Sequence, residues 1–431
     1  MKTSTPFLRL SILGVVSLGL LGSLSAQAAD TGAADFFFRD GDRAMILGDS
    51  ITQQRQYSTF VESFVLSRFP DWKITFRNTG WSGDTMGLRT RGGIDAGFER
   101  DLKPLAPTAV TIDFGMNDAR AGAKGTKDYV GNAGKLADKF AALGTRVAFV
   151  TSSAEERYQE GQPAGSAYNT MLRTYSEGLK QVAAEKNLPF VNQLDPMIDV
   201  IEKGREVGVF ASKEGGARLV PDGVHPNWEG SFVMAVYILK GLNAPALVSS
   251  VEIDAKSGAV KAEKAVVTEV KTGDALSFTR LDAAMPWPVS GEVANVLKVA
   301  GFNPFDDLSR YLLKVTGLTA ASYRVAADDK PLGTFTREQL ASGVNLTGSA
   351  FNALPEVKAL FDAITAKNNL FYSRWRDVQV AQIPSWIATD AVEQGRAKRL
   401  AELDAQLAAA DAKLDGLRKP QAHRWTITPV K

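Results

Sequence analysis

A serine, an imidazole and a carboxylate are the groups in this chain whose order and spacing could do chemistry. Ser50 ends the run Met45-Ile46-Leu47-Gly48-Asp49-Ser50, which reads as a buried strand entering a tight turn. Far downstream, Pro221-Asp222-Gly223-Val224-His225-Pro226-Asn227 sets an acid and an imidazole three residues apart. A serine hydroxyl is a poor nucleophile at its free pKa. It needs a base within hydrogen-bond reach, and the base needs an orienting partner. The chain has 2 histidines. His225 has Asp222 beside it, whereas His423 lies in Lys419-Pro420-Gln421-Ala422-His423 with no acid nearby in sequence. Ser50 is therefore the expected nucleophile, His225 its base and Asp222 the acceptor of the imidazole Nδ1 proton. The plainer readings are a structural histidine and a Pro-Asp-Gly turn, and a turn is compatible with the catalytic role. The implied chemistry is acyl transfer.

These residues need a scaffold that brings distant turns together. From about Arg43 to Gly241, short apolar runs alternate with helical patterns. The runs are Arg43–Leu47, Ile74–Asn78, Ala109–Phe114, Val147–Thr151 and Pro189–Val191. The segments Tyr57–Phe69, Tyr129–Leu143 and Ala167–Glu185 carry apolar residues at helical spacing. Such alternation implies right-handed crossovers and a parallel sheet with helices on both faces. Ligands of such sheets bind beyond the carboxyl ends of the strands. Three polar turns follow predicted strand ends there: Gly48-Asp49-Ser50, Asn78-Thr79-Gly80 and Gly115-Met116-Asn117-Asp118.

At these turns the chain resembles the GDSL/SGNH hydrolases. Gly48-Asp49-Ser50-Ile51 is similar to the first block of that family, with isoleucine in place of leucine. Asn78-Thr79-Gly80-Trp81-Ser82-Gly83-Asp84-Thr85 resembles the second, Gly115-Met116-Asn117-Asp118 the third and Asp222-Gly223-Val224-His225 the fifth. The resemblance implies a three-layer α/β/α, flavodoxin-like fold and a serine ester hydrolase. It also implies an oxyanion hole made by the Ser50 and Gly83 backbone N–H groups and the Asn117 side chain. A glycine at 83 would keep a side chain from crowding the oxyanion or restricting the backbone. Asp49 is read as a cap on the turn amides.

The similarity covers about residues 40–243. The expected organisation is a signal peptide over 1–28, a hydrolase domain over 29–245, a β-rich appendage over 246–350 and a helical C-terminal segment over 351–431. In the appendage, alternating runs such as Tyr311–Val315, Ser322–Ala327 and Leu332–Thr336 read as strands. Leu400, Leu403, Leu407, Ala410, Leu414 and Leu417 form an apolar seam. It fits a helix packed on its own protein; a homodimer seam is the sharper alternative.

Composition narrows the function further. The 431 residues are 45% hydrophobic and 23% charged, as in ordinary globular proteins. Formal charge is +2, and Lys2 and Arg9 lie in an acid-free first 28 residues, so the remainder is near neutral (+2 − 2 = 0, termini aside). No basic strip for nucleic acid stands out. Lys2 and Arg9, the apolar stretch Leu10–Leu24 and Ala26-Gln27-Ala28 form a secretory pattern with cleavage expected after Ala28. The protein is expected in the periplasm or outside the cell. With 0 cysteines it has no lipoprotein anchor point and no disulfide. No EF-hand-like spacing is visible, and neither metal nor cofactor is expected. Trp81 with Arg89 and Arg91 near it, and Trp228 just after His225, are candidates for substrate binding, alongside the aromatic and cationic group Tyr372, Arg374, Trp375 and Arg376 of the tail, with core packing as the plain alternative. The first reading is a secreted esterase removing small acyl groups, acetyl foremost, from carbohydrate. The alternatives are a lipid-directed esterase, a polysaccharide O-acetyltransferase and a non-catalytic binding protein.

Overall fold

The computed structural model describes residues 35–157, 166–211 and 216–430. The expected signal peptide, 1–28, lies outside the described residues. Five strands build the central sheet: β1 (Arg43–Gly48), β2 (Thr75–Asn78), β3 (Ala109–Asp113), β4 (Arg146–Val150) and β5 (Phe190–Val191). They run in the order β2-β1-β3-β4-β5 and every pairing is parallel. β3 is buried at every position and β1 at all but its first, which explains their unbroken apolar runs. Helices flank this sheet: Gln56–Arg68 packs on Trp228–Gly241, and Thr126–Ala141 packs on Ser166–Glu185. The result is the three-layer α/β/α arrangement. The strand order reverses direction at β1, which places the binding crevice beyond the ends of β1 and β3.

The chain after residue 246 adds two sheets. The first is mixed, in the order β13-β10-β6-β7, from β6 (Leu247–Asp254), β7 (Val260–Glu263), β10 (Arg310–Thr316) and β13 (Val344–Asn345). The second is antiparallel: β12 (Lys330–Thr336), β11 (Ser322–Ala327), β14 (His423–Pro429), β9 (Leu276–Asp282) and β8 (Ala265–Lys271). β14 ends the described chain yet sits between β11 and β9. One apolar core runs from Phe36 to Ile427 through all these parts. Trp287, fully buried, donates its indole N–H to Phe60 O at 3.0 Å and so pins the later chain to the helix Gln56–Arg68.

Two features of the C-terminal segment matter for the site. The helix Pro355–Tyr372 lies on Gln56–Arg68, and the helix Asp390–Leu417 lies on Pro355–Tyr372. Leu403, Leu407 and Leu414 are buried there, so the leucine seam faces its own chain rather than a second copy. His423 is also better partnered than its sequence neighbours indicated. Its Nδ1 lies 2.6 Å from Asp328 and its Nε2 2.6 Å from Glu356. Both acids come from elsewhere in the chain, and the Glu356 bond above all pushes the imidazole up to about 9.

Candidate active site

The turn after β1 carries Ser50 because its neighbours allow a very close approach. A Cβ on Gly48 would lie 2.1 Å from Thr52 Oγ1 and 2.6 Å from Asp113 O, so any larger residue would push the turn off the sheet. Asp49 caps the short helix Ser50–Gln53 by accepting the Ile51 N–H at 2.9 Å. That bond fixes the first turn and leaves Ser50 at its leading edge.

His225 joins this turn from the loop that precedes the helix Trp228–Gly241. Ser50 Oγ and His225 Nε2 are 2.8 Å apart, and His225 Nδ1 is 2.7 Å from Asp222 Oδ2. An ionised carboxylate only accepts, so Nδ1 carries the proton and Nε2 is left to accept from the serine hydroxyl. Asp222 Oδ1 takes the backbone N–H groups of Val224 at 2.8 Å and His225 at 2.6 Å. Partial burial alone would raise the Asp222 pKa; the His225 and Val224 bonds outweigh it and hold the carboxyl below its ordinary value. The Pro-Asp-Gly turn and the acid–imidazole pair are thus one structure. His225 is 33% exposed and Asp222 57%, so the pair opens onto solvent.

The three expected oxyanion donors collect nearby. Among the described residues, the backbone N–H groups of Ser50 and Gly83 are engaged by no other protein group. Gly83 has φ +75°, a left-handed value that disfavours side chains. Among protein atoms, a Cβ there would meet only Thr90 Cγ2 at 3.8 Å. Asn117 does not cap the turn that follows it. Its amide nitrogen donates to Asp84 O at 2.9 Å and reaches Asp49 Oδ2 only at 3.3 Å. Gln53 Oε1 accepts the Ser82 N–H at 2.6 Å and ties the Gly83 loop to the helix Ser50–Gln53.

Acidic groups lie behind the serine. Burial, reinforced by Asp118 and Asp84 and opposed by the Ile51 N–H, pushes Asp49 up to about 7. Burial likewise lifts Asp118 to about 7, and burial followed by the charge of Asp49 raises Asp113 well above the carboxylate range. Asp84 is neutralised by Arg91, whose Nε sits 2.7 Å away with both side chains fully buried. Among the described residues, no group of three or more histidine, cysteine or acidic side chains is arranged to hold a metal ion.

The aromatic candidates are placed differently from one another. Trp81 is 7% exposed and packs with Phe371, Trp375, Val380 and Leu407. Arg376 lies 4.0 Å from its ring centroid and Arg91 5.1 Å. The aromatic and cationic residues of the tail therefore pack on Trp81 itself, which turns that residue into an internal anchor. Trp228 is partly buried and meets Phe60 edge-on at 5.5 Å. Arg91 and Gln53, which hold the Gly83 loop, were not singled out by sequence for that role. Their partners are brought together only by folding.

The chain resembles known proteins in sequence and in fold. The model of the GDSL-like lipase/acylhydrolase family matches residues 46–231. Comparison by sequence with curated proteins gave no match. Among solved structures, a gut microbial diltiazem-metabolizing enzyme superposes with TM-score 0.76 at 23% identity, covering 91% of this chain and 98% of that one. Its fold thus extends through the C-terminal sheets and helices. An acetylxylan esterase from Geobacillus stearothermophilus covers 48% of this chain and 96% of its own at 21% identity, with TM-score 0.38. Over residues 46–231, the segment that carries Ser50, Gly83, Asn117, Asp222 and His225, the chain is similar to the GDSL-like lipase/acylhydrolase family, which supports a carboxylic ester hydrolase.

Proposed function

We propose that the protein is a serine esterase that cleaves small acyl esters, acetyl foremost, from carbohydrate outside the cytoplasm. The observation that carries this reading is the hydrogen-bonded series from Ser50 Oγ through His225 to Asp222, at 2.8 and 2.7 Å. In the reaction, His225 Nε2 takes the hydroxyl proton as Ser50 Oγ attacks the ester carbonyl. The negative oxygen is met by the N–H groups of Ser50 and Gly83 and by the loosely held second hydrogen of the Asn117 amide. Each such donor is worth about 3 kcal/mol of barrier. His225 then protonates the leaving alcohol, which departs and leaves Ser50 acylated. Water, deprotonated by His225, attacks the acyl-enzyme, and the acid and free serine result. Asp222 holds the ring and offsets the imidazolium charge throughout.

The substrate class is inferred from access. The half-exposed acid–base pair suits an ester carried at the surface of a large hydrophilic molecule. Arg89, exposed and bonded to Gly83 O at 2.6 Å, adds a cation at the rim. Export rests on the N-terminal pattern, with the mature chain starting at Ala29.

The test is a nitrophenyl ester series from two to eight carbons, with acetate release from acetylated oligosaccharides measured in parallel. The reading expects the highest kcat/KM at two carbons and free acetate from the sugar. A preference for eight carbons would favour a lipid-directed esterase. Acetyl transfer to sugar without free acetate would favour the transferase.

A further inference from the structure

The end of the helix Pro355–Tyr372 and the π-helical turn Ser373–Gln379 touch both catalytic loops. On one side is Arg55, which leaves the nucleophile helix with φ +65°. That left-handed value is uncommon for a residue with a side chain and persists where its surroundings hold it. The guanidinium of Arg55 donates to Gln53 O at 2.7 Å and to Asn369 Oδ1 at 3.1 Å, and it lies 4.3 Å from the centroid of the Tyr372 ring. On the other side is Trp81, two residues before Gly83. Trp375 meets it edge-on at 5.9 Å. Arg91 lies within reach of both indoles, 5.1 Å from Trp81 and 5.3 Å from Trp375. The same Arg91 binds Asp84 at 2.7 Å and Thr79 O at 2.7 Å, so it grips the Gly83 loop at both ends. Trp375 is in turn fixed by its indole N–H on Asp101 O at 3.2 Å.

We propose that Tyr372 and Trp375 are positioning residues for the esterase reaction. Through Arg55 they set the nucleophile turn, and through Trp81 and Arg91 they set the Gly83 loop. The C-terminal segment is thereby part of the catalytic assembly, not a module appended to it. This rests on the assignment of Ser50 and Gly83 given above. The reason for a large effect is geometric. Misplacing catalytic groups by 1 Å costs on the order of 10²-fold in rate, and neither tyrosine nor tryptophan needs to touch substrate to cause it.

The test is steady-state hydrolysis of nitrophenyl acetate by the full chain and its variants, below each variant's Tm. Tyr372→Ala and Trp375→Leu are expected to lower kcat about 10-fold or more while KM stays within about twofold. Tyr372→Phe keeps the ring face and is expected to restore kcat. Trp425→Leu, which removes a fully buried indole from the remote strand β14, is expected to lose stability but keep kcat per folded molecule. Unchanged kcat in folded Tyr372→Ala, or an equal kcat loss in Trp425→Leu, would overturn the proposal. Tyr372 is half-buried, so its variants decide the matter if Trp375→Leu does not fold. Ser50→Ala is run alongside. Full activity there would sink the nucleophile assignment and the clamp with it; an inactive Ser50→Ala beside fully active clamp variants would sink the clamp alone.

Discussion

Lys367→Met should destabilise this protein severely, and Glu62→Leu in the same molecule should largely repair it. Lys367 Nζ lies 2.6 Å from Glu62 Oε1, 2.8 Å from Asn368 Oδ1 and 3.1 Å from Phe76 O. The side chains of Lys367 and Glu62 are 0% and 3% exposed. They join the helix Pro355–Tyr372 to the helix Gln56–Arg68. Without the ammonium, Glu62 keeps the Asn368 amide at 3.0 Å as a partner for its buried charge. Breaking one side of a buried pair costs about 3–5 kcal/mol, whereas an apolar pair of similar volume is near neutral. Burial already raises the Glu62 pKa, against the pull of Lys367. Losing Lys367 raises it further. A raised carboxyl pKa destabilises the fold above the unfolded value, so the penalty should grow as pH rises from about 4.5 and then level off. Urea unfolding of wild type, both single variants and the double variant, at pH 5 and pH 8, gives the coupling energy. We expect about 2 kcal/mol or more of coupling and a larger Lys367→Met penalty at pH 8. Additive effects, or a single-variant cost below about 1 kcal/mol, would refute the account of this pair.

Other outcomes follow from named contacts. Gly80→Ala would put a Cβ 2.2 Å from Gln53 N, so it should displace the nucleophile helix, cost about 1–3 kcal/mol and lower kcat on the order of 10²-fold. Gly131→Ala meets nothing within 4 Å in the helix Thr126–Ala141; thermal melts should show it more stable by about 0.5–1 kcal/mol. His423, held between Glu356 and Asp328 at about 9 against an ordinary 6.5, should stabilise the fold by up to about 3 kcal/mol. Because its folded pKa is raised, that contribution is complete below pH 6.5 and is lost as pH climbs through about 9. A Tm that falls over this range in wild type but stays flat in His423→Gln is the expected pattern; parallel curves would contradict it.

The sheet was legible because its signals are local. β1 and β3 are buried on both faces, so their side chains form short apolar runs, and each run ends in a turn whose glycine is sterically required. Asp222 and His225 were legible as a pair because they lie three positions apart in one turn. The partners of His423 were not, since Asp328 and Glu356 reach it from 95 and 67 residues away. Strand β14 was missed because Lys419-Pro420 precedes it and its neighbours β11 and β9 lie about a hundred residues or more earlier in the chain. The cluster of Trp81 with Trp375 and Arg376 was visible as composition, but composition does not distinguish a sugar platform from an internal stack. Only packing places Arg376 and Arg91 near the Trp81 ring.

The central claim is that Ser50 is the nucleophile of an ester hydrolase, and one measurement addresses it most directly. Release of nitrophenol from nitrophenyl acetate should be followed for the wild-type protein and for Ser50→Ala, both shown to be folded. The account predicts turnover in the first and a loss of at least about 10³-fold in the second. Equal turnover in both would contradict it.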